Sequence, residues 1–285
     1  RRSAGTSPEN KGITIGWLPA VSGTTLVLTG SAPMLCEGRA LQDEEVVEQV
    51  RPAAEVMNNR IIEVLGRDIA TGSLEPGSRL TLVGLQERFG VSRTVIRDCM
   101  QILEALNLVY SKRRIGIVVQ EPSRWNVYDP RIIRWRLAGP GRSGQFESLT
   151  ELRIAVEPLA AAGAARRASP DQRQRLLQLA RRMREDAADP EAFLAADIEF
   201  HTLLLRASGN EMFASLSGVV SEVLSGRSRQ DLMPADGPKP EALDEHEAIA
   251  AAVAEGDPAA ARARAADLLL EVEDAILRRR QGHAL

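Results

Sequence analysis

The most reactive stretch of the sequence is Asp197-Ile198-Glu199-Phe200-His201, where an aspartate and a histidine stand four positions apart. On a helix that spacing puts both side chains one turn apart on the same face. A second histidine, His246, lies in Asp244-Glu245-His246-Glu247-Ala248-Ile249, another helical pattern. One carboxylate and two imidazoles converging inside a bundle suit a divalent transition metal such as Zn2+, Ni2+ or Mn2+. The plainer alternative is a buried Asp/His hydrogen bond in a chain with only 3 histidines. Arg153 and Glu157 form another pair at helical spacing, within an otherwise apolar run. The arginine can fork onto a ligand carboxylate or close a salt bridge along its own helix, and spacing leaves both open. Arg227 and Arg229 are weaker candidates for the opposite wall of an effector pocket.

A second constellation is basic. Arg93 and Arg97 are four apart at the start of a helix that Ser92 caps, with Thr94 between them. Further on, Lys112-Arg113-Arg114 stands between two short β-like runs, and Gly116 permits a tight backbone. Each piece alone reads as a solvated helix face or an exposed turn. In this order they read as a DNA-contacting helix followed by a basic wing, whose cations meet phosphates.

The elements that must position these residues follow from periodicity and punctuation. Residues 52–72 repeat Val56, Ile61, Ile62, Leu65 and Ile69 near helical spacing. Pro76-Gly77 then fits the centre of a type II turn. A short helix over residues 82–89 ends at Gly90, and the Ser92-capped helix buries Val95, Ile96, Met100, Leu103 and Leu106. Two short helices around a glycine turn make a helix-turn-helix. Beyond residue 120 nothing reads as a strand. Ser169-Pro170, Asp189-Pro190, Ser208-Gly209-Asn210, Asp236-Gly237-Pro238 and Gly256-Asp257-Pro258 punctuate a helical text. The expectation is a mainly α protein: a winged helix-turn-helix, then an all-α bundle of about six to seven helices.

The 285 residues suffice for roughly two domains. The net charge of −3 hides an asymmetry, since residues 79–114 hold seven basic side chains against three acids. A local +4 on an acidic remainder of −7 points one part of the chain at a polyanion. Cys36 and Cys99 are too few for a disulfide framework, so a reducing cytoplasm is the expected setting. Residues 1–44 read as a disordered or artefactual leader: residue 1 is Arg, and translation could begin at Met34 or at Met57. Residues 13–36 are too interrupted by Pro, Gly, Ser and Thr to span a membrane. The remaining boundaries fall at 45–120 for the DNA-binding domain, 121–147 for a linker and 148–280 for the effector-binding and dimerisation domain.

The run from Gly90 to Asp98, then Leu103-Glu104-Ala105-Leu106-Asn107-Leu108-Val109, resembles the signature of GntR-family winged-helix regulators. Residues 69–80 strengthen the match. The resemblance implies operator contacts by Arg93, Arg97 and the wing around Gly116. It also marks a departure: Val83 stands where many members carry a basic residue. Asp197, His201, Ser208-Gly209-Asn210 and His246 resemble the helical effector domain of the FadR subfamily. That resemblance implies a metal held by one Asp and three His, yet the last His position is Leu268 here. It further implies that Arg153 works at the effector. Residues 124–135, with Trp125, Tyr128 and Trp135, are similar to the linker of sugar-acid-responsive (galactonate-operon type) repressors. In a chain that is 4% aromatic these three read as anchors of one domain on the other.

The sequence therefore predicts a cytoplasmic, homodimeric transcriptional regulator, a repressor released from operator DNA by a small carboxylate such as an aldonate. Arg153, Arg227, Asp197, His201 and His246 would hold the effector, and the last three a metal. The rival is a metal-dependent enzyme of the helical domain fused to a DNA-binding head. No G-x-S-x-G elbow, P-loop, HExxH or Rossmann fingerprint supports it, and Glu199, the nearby acid, points to the other side of its helix.

Overall fold

The computed structural model describes residues 51–229 and 238–282. The leader expected over residues 1–44 and the break at Asp236-Gly237 lie outside them. A winged-helix head comes first: α1 (Arg51–Ala70), β1 (Arg79–Leu80), α2 (Leu82–Phe89), α3 (Arg93–Ala105), β2 (Val109–Lys112) and β3 (Gly116–Val119). Local chemistry sets each boundary. Thr81 Oγ1 accepts from Gly84 N at 3.1 Å to start α2, and Gly90 ends it in the left-handed region at φ 66°. Ser92 Oγ then accepts from Val95 N to start α3. Between α1 and β1, Ser78 N donates to Glu75 O while Gly77 takes φ 83°, the positive value that a type II turn requires.

The three strands form an antiparallel sheet in the order β1-β3-β2, with Lys112 facing Gly116 at the hairpin end. The sequence suggested only β2 and β3. The third strand is two residues long, too short for alternation to be legible, and pairing with β3 is what creates it. Ile61, Leu65, Ile69, Ile96, Leu103 and Leu108 fill the core of the head. Val56, expected with them, is exposed.

The second part contains α4 (Pro130–Leu137), α5 (Arg142–Arg167), α6 (Pro170–Glu185), α7 (Pro190–Ala207), α8 (Glu211–Ser215), α9 (Ser217–Arg229), α10 (Pro240–Glu255) and α11 (Pro258–Gly282). Asp129, Ser169, Asp189 and Asn210 cap α4, α6, α7 and α8 through their side chains, and Ser169 with Gln172 completes a capping box. Pro at the first helical turn of α4, α6, α7 and α10 costs nothing there, where the N–H has no partner anyway. Ala160, Ala161, Ala164 and Ala165 are fully buried on α5, letting neighbouring helices approach its backbone closely.

Residues 121–147, expected as a linker, are largely structured and include α4. The Asp129-Pro130 start signal was present: Asp129 Oδ1 accepts from Arg131 N at 2.9 Å. This eight-residue helix serves two cores. Ile132 and Trp135 belong to the core of the head, whereas Ile133 and Leu137 pack with Phe146, Leu149, Val219 and Val223 of the bundle. Trp135 Nε1 donates to Glu63 Oε2 at 2.6 Å, and its ring lies over Gly66, where a Cβ would come within 2.3 Å of it. Trp125 is also buried in the head and donates to Gln120 O, but Tyr128 is exposed. Of the three expected aromatic anchors, Trp135 sits on the helix that serves both cores, whereas Trp125 is placed only with the core of the head. Tyr128 joins neither core, because it sits in the turn ahead of α4.

Candidate functional site

Inside the bundle three helices deliver five ionisable side chains to one buried place. Helix α5 presents Arg153 and Glu157, α7 presents Asp197 and His201, and α10 presents His246; none is more than 5% exposed. Burying that much polarity is unfavourable unless every charge is matched. Arg153 Nε donates to Glu157 Oε1 at 2.5 Å, and Arg153 Nη2 to Glu157 Oε2 at 3.3 Å. This is a side-on fork through Nε and Nη2. The same Nη2 also lies 3.4 Å from His201 Nε2, so the guanidinium touches α7 as well as its own helix. Of the two readings that competed in the sequence, the salt bridge along the helix is the one formed here.

Glu157 Oε2 also lies 2.7 Å from His201 Nδ1, an ion-pair contact whose angle falls short of a hydrogen bond. Burial works against the Glu157 carboxylate, but Arg153 and His201 overcome it and hold its pKa near about 2. Burial likewise opposes the charges of Arg153, Asp197 and His201. For Arg153 it is outweighed by Glu157, so its pKa rises. Asp197 is held well below the usual carboxylate range by His201 and His246. His201 is raised, chiefly by Glu157, against burial and the Arg153 charge. On α9, half-buried Arg227 is lowered by burial and feels Asp197, Arg153 and Glu157 electrostatically. All the predicted effector residues are thus brought together. The Arg229 side chain lies outside the described residues.

Asp197 Oδ1, His201 Nε2 and His246 Nε2 form a triangle. Its edges are 3.2 Å from Asp197 to His201, 3.4 Å from Asp197 to His246 and 3.3 Å between the imidazoles. His246 Nδ1 lies 2.6 Å from Ala242 O, which can only accept, so the proton sits on Nδ1 and the Nε2 lone pair faces inward. Three electron-rich atoms at such separations call for a cation between them, a proton or a metal. Ligands about 2.05 Å from a tetrahedral metal stand about 3.3 Å apart, so the triangle fits one face of such a site. These are also the only His, Cys, Asp or Glu atoms among the described residues that group this way. Leu268, at the place of the resembled family's last histidine, is 4% exposed within the bundle core. Among the described residues the candidate donor set is therefore three.

Glu199, the acid nearest in sequence to these ligands, is exposed and paired with Arg175 at 2.7 Å, facing away from the triangle. What sequence reasoning missed was Glu157 as a partner of His201. Its place on α5 was legible, but its reach to α7 depends on helix packing that no local signal encodes.

In the head, Arg93, Thr94 and Arg97 are exposed along the start of α3, as are Lys112, Arg113 and Arg114 in the wing. Ser92 is exposed too, although its Oγ already accepts the capping bond from Val95 N. Gly116 has a structural reason to be glycine: φ is 103°, and a Cβ would meet Leu80 O at 2.8 Å. Val83 is exposed on α2, adding an apolar spot where the resembled family is often basic.

Known proteins match both halves. The family of bacterial regulatory proteins named gntR matches residues 57–119, and the FCD domain family matches residues 148–271. The galactonate operon transcriptional repressor of Escherichia coli is 30% identical over 212 residues, covering 74% of this chain and 93% of the repressor. The transcriptional regulator LutR of Bacillus subtilis is 30% identical over 213 residues, covering 73% of this chain and 95% of LutR. Lar of Listeria monocytogenes is similar in fold, with a TM-score of 0.53 at 18% identity over 78% of this chain and 96% of Lar.

Proposed function

The chain belongs to the GntR family of bacterial regulatory proteins with an FCD domain, and from that premise we propose that it is a repressor released from its operator by a small carboxylate. That it is a DNA-binding transcriptional regulator follows from the family. The effector is the further step, and one observation carries it: the Arg153 guanidinium stands against the Asp197–His201–His246 triangle, its Nη2 3.4 Å from His201 Nε2. A ligand with a carboxylate for Arg153 and adjacent hydroxyls for the triangle satisfies both. A sugar acid of the aldonate class has that chemistry, and the name of the E. coli relative supports it.

Asp197, His201 and His246 would hold a divalent metal such as Zn2+, Ni2+ or Mn2+, whose role is to polarise and orient ligand oxygens. The protein side chains do the rest. Arg153 orients the carboxylate, Glu157 fixes Arg153 and faces His201, Ala242 O sets the His246 tautomer, and Arg227 closes a wall. The reading is of sensing rather than catalysis, which the transcriptional-regulator names of the relatives support. The head works as a homodimer in the cytoplasm, because two identical heads need two half-sites on double-stranded operator DNA. Among the described residues no helix is long and apolar enough to cross a membrane.

A thermal-shift screen of the purified protein against aldonates and simpler carboxylates, with and without divalent metal, tests the reading. A concentration-dependent rise in Tm with an aldonate is the expected result. Silence across carboxylates in both conditions overturns it.

A further inference from the structure

Helix α4 lies between the pocket and the DNA head, and its seating on both sides is unusually specific. On the bundle side it rests on α9 at two glycines. A Cβ on Gly218 would come 2.9 Å from Pro130, and one on Gly226 would come 2.7 Å from Leu137. Gly226 immediately precedes Arg227, the residue of α9 that feels the pocket charges. On the head side Trp135 lies on Gly66 of α1 and donates to Glu63. Arg134 joins the two sides: Nη1 donates to Glu222 Oε1 on α9 at 3.2 Å, and Nη2 to Glu63 Oε1 on α1 at 2.8 Å. The Glu63 carboxylate is thus shared by Arg134 and Trp135.

We propose that Arg134 and Trp135 are the positioning residues that make the DNA head follow helix α9, so that ligand contact at Arg227 is felt in α1. The proposal rests on the effector reading above for its trigger, but the coupling itself belongs to the ligand-free chain. Notches filled by Leu137 and the Trp135 ring seat α4 on both sides, but helices held only by such packing can slide past one another. The Glu222–Arg134–Glu63 bridge holds register across the boundary. A shift of α9 at Gly226 therefore moves α4, and α4 carries Glu63 and Gly66 with it.

Hydrogen exchange on the full-length chain tests this, read in peptides covering residues 58–70 of α1 and residues 193–205 of α7. The probe is D-galactonate with Zn2+. In the wild type, protection of the α7 peptides should be accompanied by a change of at least about two-fold in exchange across α1. In Arg134→Met the α7 response should persist while the α1 response disappears. An α1 response that survives Arg134→Met, or a wild-type α1 that ignores a bound probe, overturns the proposal.

If the α7 peptides do not respond to the probe, it is the effector reading that fails for this ligand, and a ligand-free cycle decides the coupling. Arg227→Met should alter α1 exchange in the wild-type background and not in Arg134→Met; equal changes in both overturn it. Glu222→Gln, which leaves the bond from Arg134 to Glu63 in place, gives the same comparison if Arg134→Met does not fold.

Discussion

Glu157 touches both arms of the pocket: its Oε1 accepts from Arg153 Nε at 2.5 Å while its Oε2 lies 2.7 Å from His201 Nδ1. The groups assigned to the carboxylate and to the metal therefore share one anion. Neither arm can be altered without changing the electrostatics of the other.

Arg153→Met leaves Glu157 buried opposite a neutral partner. Breaking a buried pair in this way costs about 3–5 kcal/mol, so urea unfolding should show a loss of that size. Arg153→Met combined with Glu157→Gln should recover much of it, because no net charge is then stranded. The double variant should still lack any thermal shift with aldonates. A normal shift would remove Arg153 from the effector site.

Metal binding is expected at one Zn2+ per chain, measured by competition with a chromophoric chelator. Asp197→Ala or His246→Ala should weaken it at least about ten-fold. Leu268→His, which restores the histidine of the resembled FadR subfamily, should tighten it. Wild-type protein that takes up no divalent metal would leave a proton as the cation of the triangle.

Arg93→Ala or Arg97→Ala should weaken operator binding by about 1–3 kcal/mol if the arginine reads a base edge. Lys112→Ala and Arg113→Ala should instead weaken binding evenly across sequences and reduce the salt slope by about one each. Operator titrations at several salt concentrations separate the two behaviours. A folded Arg97→Ala protein with wild-type affinity would remove that residue from the interface.

Cys99 is a check on the head alone. Burial, with a contribution from Asp98, pushes its thiol up to about 11, and its Sγ contacts Asn58 O at 3.7 Å. Only the thiolate reacts, so in a Cys36→Ser background the folded chain should resist a disulfide reagent near pH 8. Labelling should speed up as pH approaches 11, and at once on unfolding. Rapid labelling of the native chain near pH 8 would show that the core around Ile61 and Ile96 opens readily.

The head was legible because its signals are local. Thr81, Gly90 and Ser92 mark their own helix ends, and Pro76-Gly77 its own turn. The pocket was half legible: Asp197 and His201, or Arg153 and Glu157, are each four apart on one helix, so periodicity alone places each pair. That α5, α7, α9 and α10 bring the pairs together depends on packing, which no spacing in the sequence reports. β1 and α4 were missed for the same reason. Both are short elements that persist through what they touch, β1 through β3, and α4 through Gly66 on one side and Gly218 and Gly226 on the other.

Helix α4 gives one face to each core, with Ile132 and Trp135 in the head and Ile133 and Leu137 in the bundle. The chain therefore cannot be cut into modules at residue 120. A head ending there would lose three core side chains, Trp125 among them, and show water the surface they had covered, and a bundle begun after α4 would lose two of its own. Any graft of this sensor onto a different DNA-binding head inherits that constraint. The transplanted segment must start before Pro130, and the recipient needs both a glycine-sized hollow for the indole and a carboxylate to receive its N–H.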